Sequence, residues 1–128
     1  MKIVVDAMGG DHAPEAAVEG AVMAAREYET EIILTGLSDQ IHSILNRLDP
    51  DHHLSIQVVH ADEVVEMHDS PSRALRSKRK SSMKIGLDLV KDGTASAFLS
   101  AGNTGAVLAY STIILRPLKG VDRPAIAI

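Results

Sequence analysis

Apolar runs and helical periodicities alternate along this chain. Ile3-Val4-Val5, held between Lys2 and Asp6, is continuous rather than alternating, the pattern of a strand buried on both faces. The loop at 7–14 follows. From Pro14 to Tyr28, Ala17, Val18, Ala21, Val22, Ala24 and Ala25 recur at helical spacing, with Pro14 in the first turn and Glu15 and Glu19 near the positive end of the helix dipole. Ile32-Ile33-Leu34 predicts a second strand, closed by Gly36. Ile41, Ile44, Leu45 and Leu48 stand at i, i+3, i+4 and i+7, so they predict a helix capped by Ser38 or Asp39 and stopped by Asp49-Pro50. Ile56, Val58 and Val59 predict a third strand that ends at His60.

The next seam, Leu75, Met83, Leu87 and Val90, is broken by Arg79, which predicts two short helices instead of one. The first runs from Pro71 to about Arg79 with Ser70 as cap. The second covers Ser82–Lys91 with Ser81 or Ser82 as cap, and Asp92-Gly93 ends it. Ala95–Leu99 predicts the fourth strand, Thr104–Leu115 the last helix, and Pro117 to Gly120 a turn. Arg123 to Ile128 reads as a strand just beginning, so the chain is expected to be a fragment of a longer protein. Strand–helix alternation over the whole length predicts an α/β fold with a mostly parallel sheet and flanking helices.

Composition narrows the possibilities. At 128 residues the chain has the size of one domain, and 45% hydrophobic residues can build a core. With one Phe, two Tyr and no Trp, that core is aliphatic and base-stacking platforms are missing; a net charge of −4 adds no attraction to nucleic acid. The lack of Cys removes thiolate chemistry and cysteine-type zinc sites, and fits a cytoplasmic protein. Asp6 arrives too early for a secretory leader, and Ala106 to Leu115 is about half the apolar length of a membrane span.

In a parallel sheet, ligands collect beyond the carboxyl ends of the strands. Three polar loops belong there: 6–11, 60–63 and Ser100-Ala101-Gly102-Asn103-Thr104-Gly105. The last is flanked by glycines and leads into a helix whose free N–H groups suit a phosphate or a developing oxyanion. The dinucleotide fingerprint, the Walker loop and the nucleophile elbow are absent, no H-x-x-x-H pair occurs, and no Ser–His pairing is recognisable.

The string Val5-Asp6-Ala7-Met8-Gly9-Gly10-Asp11-His12-Ala13-Pro14 resembles the N-terminal signature of the PlsX family, the bacterial phosphate acyltransferases of phospholipid synthesis. The resemblance continues through His60 to Val65, Ser70-Pro71 with the basic stretch Arg73 to Lys80, Ser81-Ser82-Met83, Ser100 to Ala106, and Lys119 to Pro124. The region from Ser82 to Gly120 is also similar in layout to phosphotransacetylases. The resemblance implies a Rossmann-like three-layer sandwich of the isocitrate/isopropylmalate dehydrogenase or phosphotransacetylase type, here as the N-terminal part of a single catalytic domain in residues 1–128. It implies transfer of a fatty acyl group from acyl carrier protein to inorganic phosphate; no cofactor is expected, and the spacing of the histidines argues against a metal site. It further implies a homodimer, cytoplasmic and peripherally associated with the membrane.

Such a reaction asks for position, charge neutralisation and an oxyanion hole, because phosphate is already a nucleophile and a thiol of pKa about 8.5 is a tolerable leaving group. Asn103 and Thr104 are the candidate catalytic residues, with Ser100, Gly102 and Gly105 binding phosphate beside them; Asn103 serving only the turn is the simpler alternative. Gly9, Gly10, Asp11 and His12 are further candidates for the phosphate site, although a solvated loop histidine is the favoured reading of His12. Asp6 is assigned to orienting other groups, since a carboxylate repels an anionic substrate. Arg73, Arg76 and Arg79 are candidates for phosphate or for an acidic carrier protein, against a solvated face balanced by Asp62, Glu63, Glu66 and Asp69. His60 leaves a strand end and reads equally as a residue lining the site or as a core histidine; it is given no catalytic role. Two other functions compete: a metal-dependent hydroxyacid dehydrogenase of similar fold, and a non-catalytic module that binds an anion or a protein.

Overall fold

The computed structural model describes residues 1–126. Four strands, β1 (Lys2–Asp6), β2 (Glu31–Gly36), β3 (Ile56–His60) and β4 (Ala97–Leu99), form one sheet in the order β3-β2-β1-β4. Every pairing is parallel, with Val5 opposite both Leu34 and Leu99, and Asp6 opposite Thr35. Five helices follow or connect them: α1 (Glu15–Tyr28), α2 (Ser38–Leu48), α3 (Pro71–Ser77), α4 (Ser82–Lys91) and α5 (Thr104–Ile114).

Helices lie on both faces of the sheet, which suits the apolar runs of its inner strands β1 and β2. Ile32 and Leu34 pack with Val18, Val22, Ile41 and Leu45 beneath α1 and α2. On the opposite face Val4 and Ile33 meet Leu89, Val90 and Phe98 beneath α4. A third cluster, Met83, Leu87, Ala106 and Tyr110, joins α4 to the outer pair α3 and α5. Each fully buried aliphatic side chain contributes roughly 1.5–3 kcal/mol, so largely aliphatic clusters carry the fold, with Tyr110 and Phe98 as their aromatic members. The architecture is the expected three-layer α/β arrangement, with all four strands parallel rather than most of them.

Several element ends differ from the sequence reading. Pro14 sits at the cap position, one residue before α1, not inside its first turn. Leu37 occupies the cap of α2, and neither Ser38 nor Asp39 does so: Ser38 is already helical, and its hydroxyl meets His60 Nδ1 at 2.9 Å. α3 stops at Ser77 because Tyr110 Oη–H is aimed at the Ala74 and Lys78 carbonyls, 2.8 and 2.9 Å away, and closes the helix end. Ser70 holds the cap position of α3 without a side-chain cap bond, whereas Ser81 caps α4 by accepting from the Lys84 N–H. β4 is shorter than Ala95–Leu99 because Ala95 N–H bonds Leu89 C=O instead of a strand neighbour. α5 ends at Ile114, one residue early. Residues 123–126 form no strand, and the rest of the strand expected there lies outside the described residues.

Tyr110 is fully buried. Its Phe variant is expected to lower unfolding stability by about 1–2 kcal/mol through the lost hydroxyl contacts, read as a shifted urea midpoint with an unchanged slope.

Candidate functional site

The carboxyl end of β1 brings Asp6 to the rim, where it is 3% exposed. Its Oδ1 accepts from the Met8 N–H at 3.1 Å, and its Oδ2 accepts from the Ser100 hydroxyl at 2.8 Å. Ser100 Oγ in turn accepts from the Gly102 N–H at 3.1 Å. One carboxylate thereby shapes both glycine loops. Burial pushes the Asp6 carboxyl above its ordinary 3.8, and the Ser82, Ser100 and Met8 hydrogen bonds oppose that shift without cancelling it.

The two loops touch through backbone. A Cβ on Gly9 would lie 2.6 Å from Ser100 Oγ, 2.9 Å from Asp6 Oδ2 and 2.9 Å from the Gly102 nitrogen. A Cβ on Gly102 would lie 3.2 Å from Gly9 Cα, and Gly10, at φ +106°, lies against Ala101. No side chain fits between these strand ends.

Asn103 is buried and caps α5: its Oδ1 accepts from the Ala106 N–H at 3.0 Å. Its amide nitrogen points at three carbonyls, those of Glu66, Met67 and Asp69, at 3.2, 3.2 and 2.9 Å. The side chain is thus committed to fastening the segment before α3 onto the start of α5. By helix geometry the N–H groups of Thr104 and Gly105 have no acceptor within α5; both residues are exposed. Unshared N–H groups at a helix start suit an anion.

The structure brings Asp6, Gly9, Gly10, Ser100 and Gly102 together, with Asn103, Thr104 and Gly105 directly following. Asp11 and His12 are exposed, and neither side chain makes a hydrogen bond among the described residues. Pro71 at the head of α3 lies where a Gly105 Cβ would come within 2.9 Å, so α3 abuts the site, and Arg73, Arg76 and Arg79 stand exposed on and just beyond it. The basic stretch divides in two. Lys78 pairs with Asp69 at 2.5 Å, Lys80 with Asp62 at 3.7 Å and Lys84 with Asp88 at 2.6 Å. The three arginines have no carboxylate partner among the described residues.

Sequence reasoning missed Ser82, whose hydroxyl reaches Asp6 from α4. It also missed a Ser–His–Asp chain: His60 Nδ1 meets Ser38 Oγ at 2.9 Å and the Ser38 N–H at 3.3 Å, while its Nε2 meets Asp62 Oδ1 at 2.9 Å. His60 is exposed, not a core histidine, and it supplies the acceptor that Leu37 cannot offer to α2. Only the parallel pairing of β2 with β3 joins these residues, so no spacing in the chain announces them.

Fold and site define an α/β protein whose parallel strands end in paired glycine loops beside a helix N-terminus suited to an anion. The sequence model of the family described as "Fatty acid synthesis protein" matches residues 1–128. Relatives named "Phosphate acyltransferase" include those of Myxococcus xanthus, 51% identical over 99% of this chain, Geobacter sulfurreducens, 50% over 99%, and Clostridioides difficile, 46% over 98%. The chain belongs to this family, the one its motifs resemble. It spans 36–37% of the length of these relatives.

Since the folded state holds the Asp6 proton more tightly than the unfolded chain, the contribution of this group to stability falls as pH rises from 3.8 to its raised value, and is level above it. Asp6→Asn is expected to abolish that component of the slope, measured by urea unfolding at a series of pH values beside the parent protein.

Proposed function

We propose that the full-length protein is a phosphate acyltransferase that moves a fatty acyl group from acyl-[acyl carrier protein] to inorganic phosphate. A phosphate oxygen attacks the thioester carbonyl carbon, the C–S bond breaks, the carrier thiolate takes up a proton, and acyl phosphate leaves. The observation that carries this reading is the start of α5, with the unshared amides of Thr104 and Gly105, in a chain about half identical to proteins named for that activity.

Within it, Thr104 and the amides of residues 104 and 105 hold phosphate or the tetrahedral oxyanion. Asn103 is a positioning residue: its cap and its three carbonyl contacts keep that helix end in place. Ser100, Gly102, Gly9 and Gly10 shape the mouth, and Asp6 orients Ser100 from below. Asp11 and His12 border the phosphate site from the first loop. Arg73, Arg76 and Arg79 form the docking face for an acidic carrier protein, because the neighbouring lysines are already paired. A cytoplasmic homodimer with peripheral membrane association completes the proposal and rests on the family resemblance; a reaction without cofactor or metal is part of it. No helix among the described residues is long and apolar enough to cross a membrane.

Thioester loss from an acylated carrier protein, followed with and without phosphate in the full-length enzyme, tests the reaction. Phosphate-dependent formation of acyl phosphate is expected; loss that ignores phosphate would refute the transferase. Asn103→Ala is expected to lower kcat on the order of a hundredfold, and Thr104→Val to raise the phosphate KM at an unchanged melting temperature. Replacing Arg73, Arg76 and Arg79 together by Ala is expected to raise the KM for carrier protein about tenfold or more at low salt and to flatten its ionic-strength dependence, with the phosphate KM unmoved. A salt dependence identical to that of the parent enzyme would remove the arginines from docking.

A further inference from the structure

The carboxyl ends of β2 and β3 hold reactive groups that the site after β1 and β4 does not use. In the order β3-β2-β1-β4, the turns after β2 and β3 lie side by side, across β1 from the glycine loop of β4. Gly36 pairs with His60 in the parallel register, and its carbonyl accepts the Ala61 N–H at 2.8 Å. That pairing sets Ser38, the first residue of α2, against His60, and His60 against Asp62.

The contacts assign the protons. Asp62 Oδ1 lies 2.9 Å from His60 Nε2, and as a carboxylate oxygen it accepts, so the ring proton is on Nε2. Nδ1 faces two donors, the Ser38 hydroxyl at 2.9 Å and the Ser38 N–H at 3.3 Å, and therefore presents its lone pair. The imidazole is neutral, with a basic nitrogen on the serine oxygen and a carboxylate behind the opposite N–H. The two nitrogens are used in the reverse order to the familiar serine triad, but the roles are the same. Capping α2 needs only the contact with the Ser38 N–H; the shorter contact is the one to the hydroxyl.

The local chain suits a nucleophile. Gly36-Leu37-Ser38-Asp39-Gln40 runs from a strand through a tight turn into a helix, and keeps the first glycine and the serine of the elbow pattern G-x-S-x-G, with Gln40 at its last place. Ile41 N–H bonds Leu37 C=O, so the N–H groups of Asp39 and Gln40 have no acceptor within α2. They follow the serine directly, where a developing oxyanion needs donors. Ser38 is half-buried, and His60 and Asp62 are exposed, so a reactant can reach the oxygen.

We propose that Ser38 is a nucleophile, with His60 as its base and Asp62 orienting the base, and that it takes short acyl groups from activated esters and thioesters. Ser38 Oγ attacks the carbonyl carbon while its proton passes to His60 Nδ1. The C–O or C–S bond of the donor breaks, and the leaving oxygen or sulfur takes that proton. Water, giving a proton to the same nitrogen, then attacks the acyl-serine; the carboxylic acid leaves and Ser38 recovers its hydrogen. This activity stands independently of the phosphate-dependent transfer proposed above.

The full-length protein treated with a fluorophosphonate, followed by peptide mapping, tests the assignment. The expected adduct is on Ser38 and is at least about tenfold weaker in His60→Gln. Glutamine offers the Ser38 N–H an acceptor but supplies no base, so a histidine that only caps α2 would leave labelling unchanged. Lack of an adduct at Ser38, or an equal one in His60→Gln, overturns the proposal. Ser38→Cys gives a second readout. At neutral pH its thiol is expected to react with iodoacetamide about tenfold faster than that of Ser43→Cys on the same helix, and His60→Gln is expected to remove the advantage. An advantage that survives the glutamine belongs to the helix end alone and refutes the role of His60 as base.

Discussion

The candidate site depends on backbone lying against backbone above a buried carboxylate. Gly9 and Gly102 come from loops joined by a hydrogen bond between residues 94 positions apart, Ser100 to Asp6, and no local preference of either loop could create their contact. It exists because β1 and β4 are neighbours in a parallel sheet, with Val5 opposite Leu99, so both strands end at the same level. The glycines follow from that geometry: a Cβ at position 9 would overlap Ser100, Asp6 and Gly102 at once. Folding the sheet and forming the site are thus one event.

Burying Asp6 directly under a rim suited to anions is electrostatically costly only while it is charged. Burial raises the Asp6 pKa and so favours the protonated form relative to water. Two donors nevertheless hold the carboxylate in place, the Met8 N–H on Oδ1 and the Ser100 hydroxyl on Oδ2. Polar side chains here build the loops, while main-chain amides are left for a ligand. Asn103 illustrates this division. Its four polar contacts are all spent inside the protein, and what it exposes is the helix end behind it.

Much of this architecture was legible in the chain. Unbroken apolar triplets announced strands covered on both faces, and Arg79 in an otherwise apolar seam announced that α3 and α4 are separate. Element ends were less legible where a distant residue decides them: Tyr110 closes α3, and His60 takes the capping role that Ser38 and Asp39 were expected to play for α2. The glycine loops were found as motifs, but their mutual contact was not, because register across the sheet leaves no trace in local spacing. The assignment of Asn103 to chemistry or to the turn stayed open in the sequence for the same reason. Its partners, 34–37 residues away, come within reach only when α3 packs on α5.

The basic stretch shows how a charge count conceals a pattern. Four acids and six bases stand between residues 62 and 84, a mixture that in sequence reads as a solvated face with partial cancellation. In three dimensions the cancellation is selective. Asp69 is taken up by Lys78, its carboxyl held below the ordinary range chiefly by that hydrogen bond, and Asp62 faces Lys80. The residues left without carboxylates are the arginines, whose planar guanidinium forks suit carboxylate and phosphate groups better than an ammonium does. Exposed ion pairs such as the lysine pairs add little stability, so their main consequence is to determine which charges remain available. Those charges lie on and just beyond α3, whose first residue touches the glycine that opens α5. On the proposed function, a partner drawn to the arginines is brought beside the start of α5.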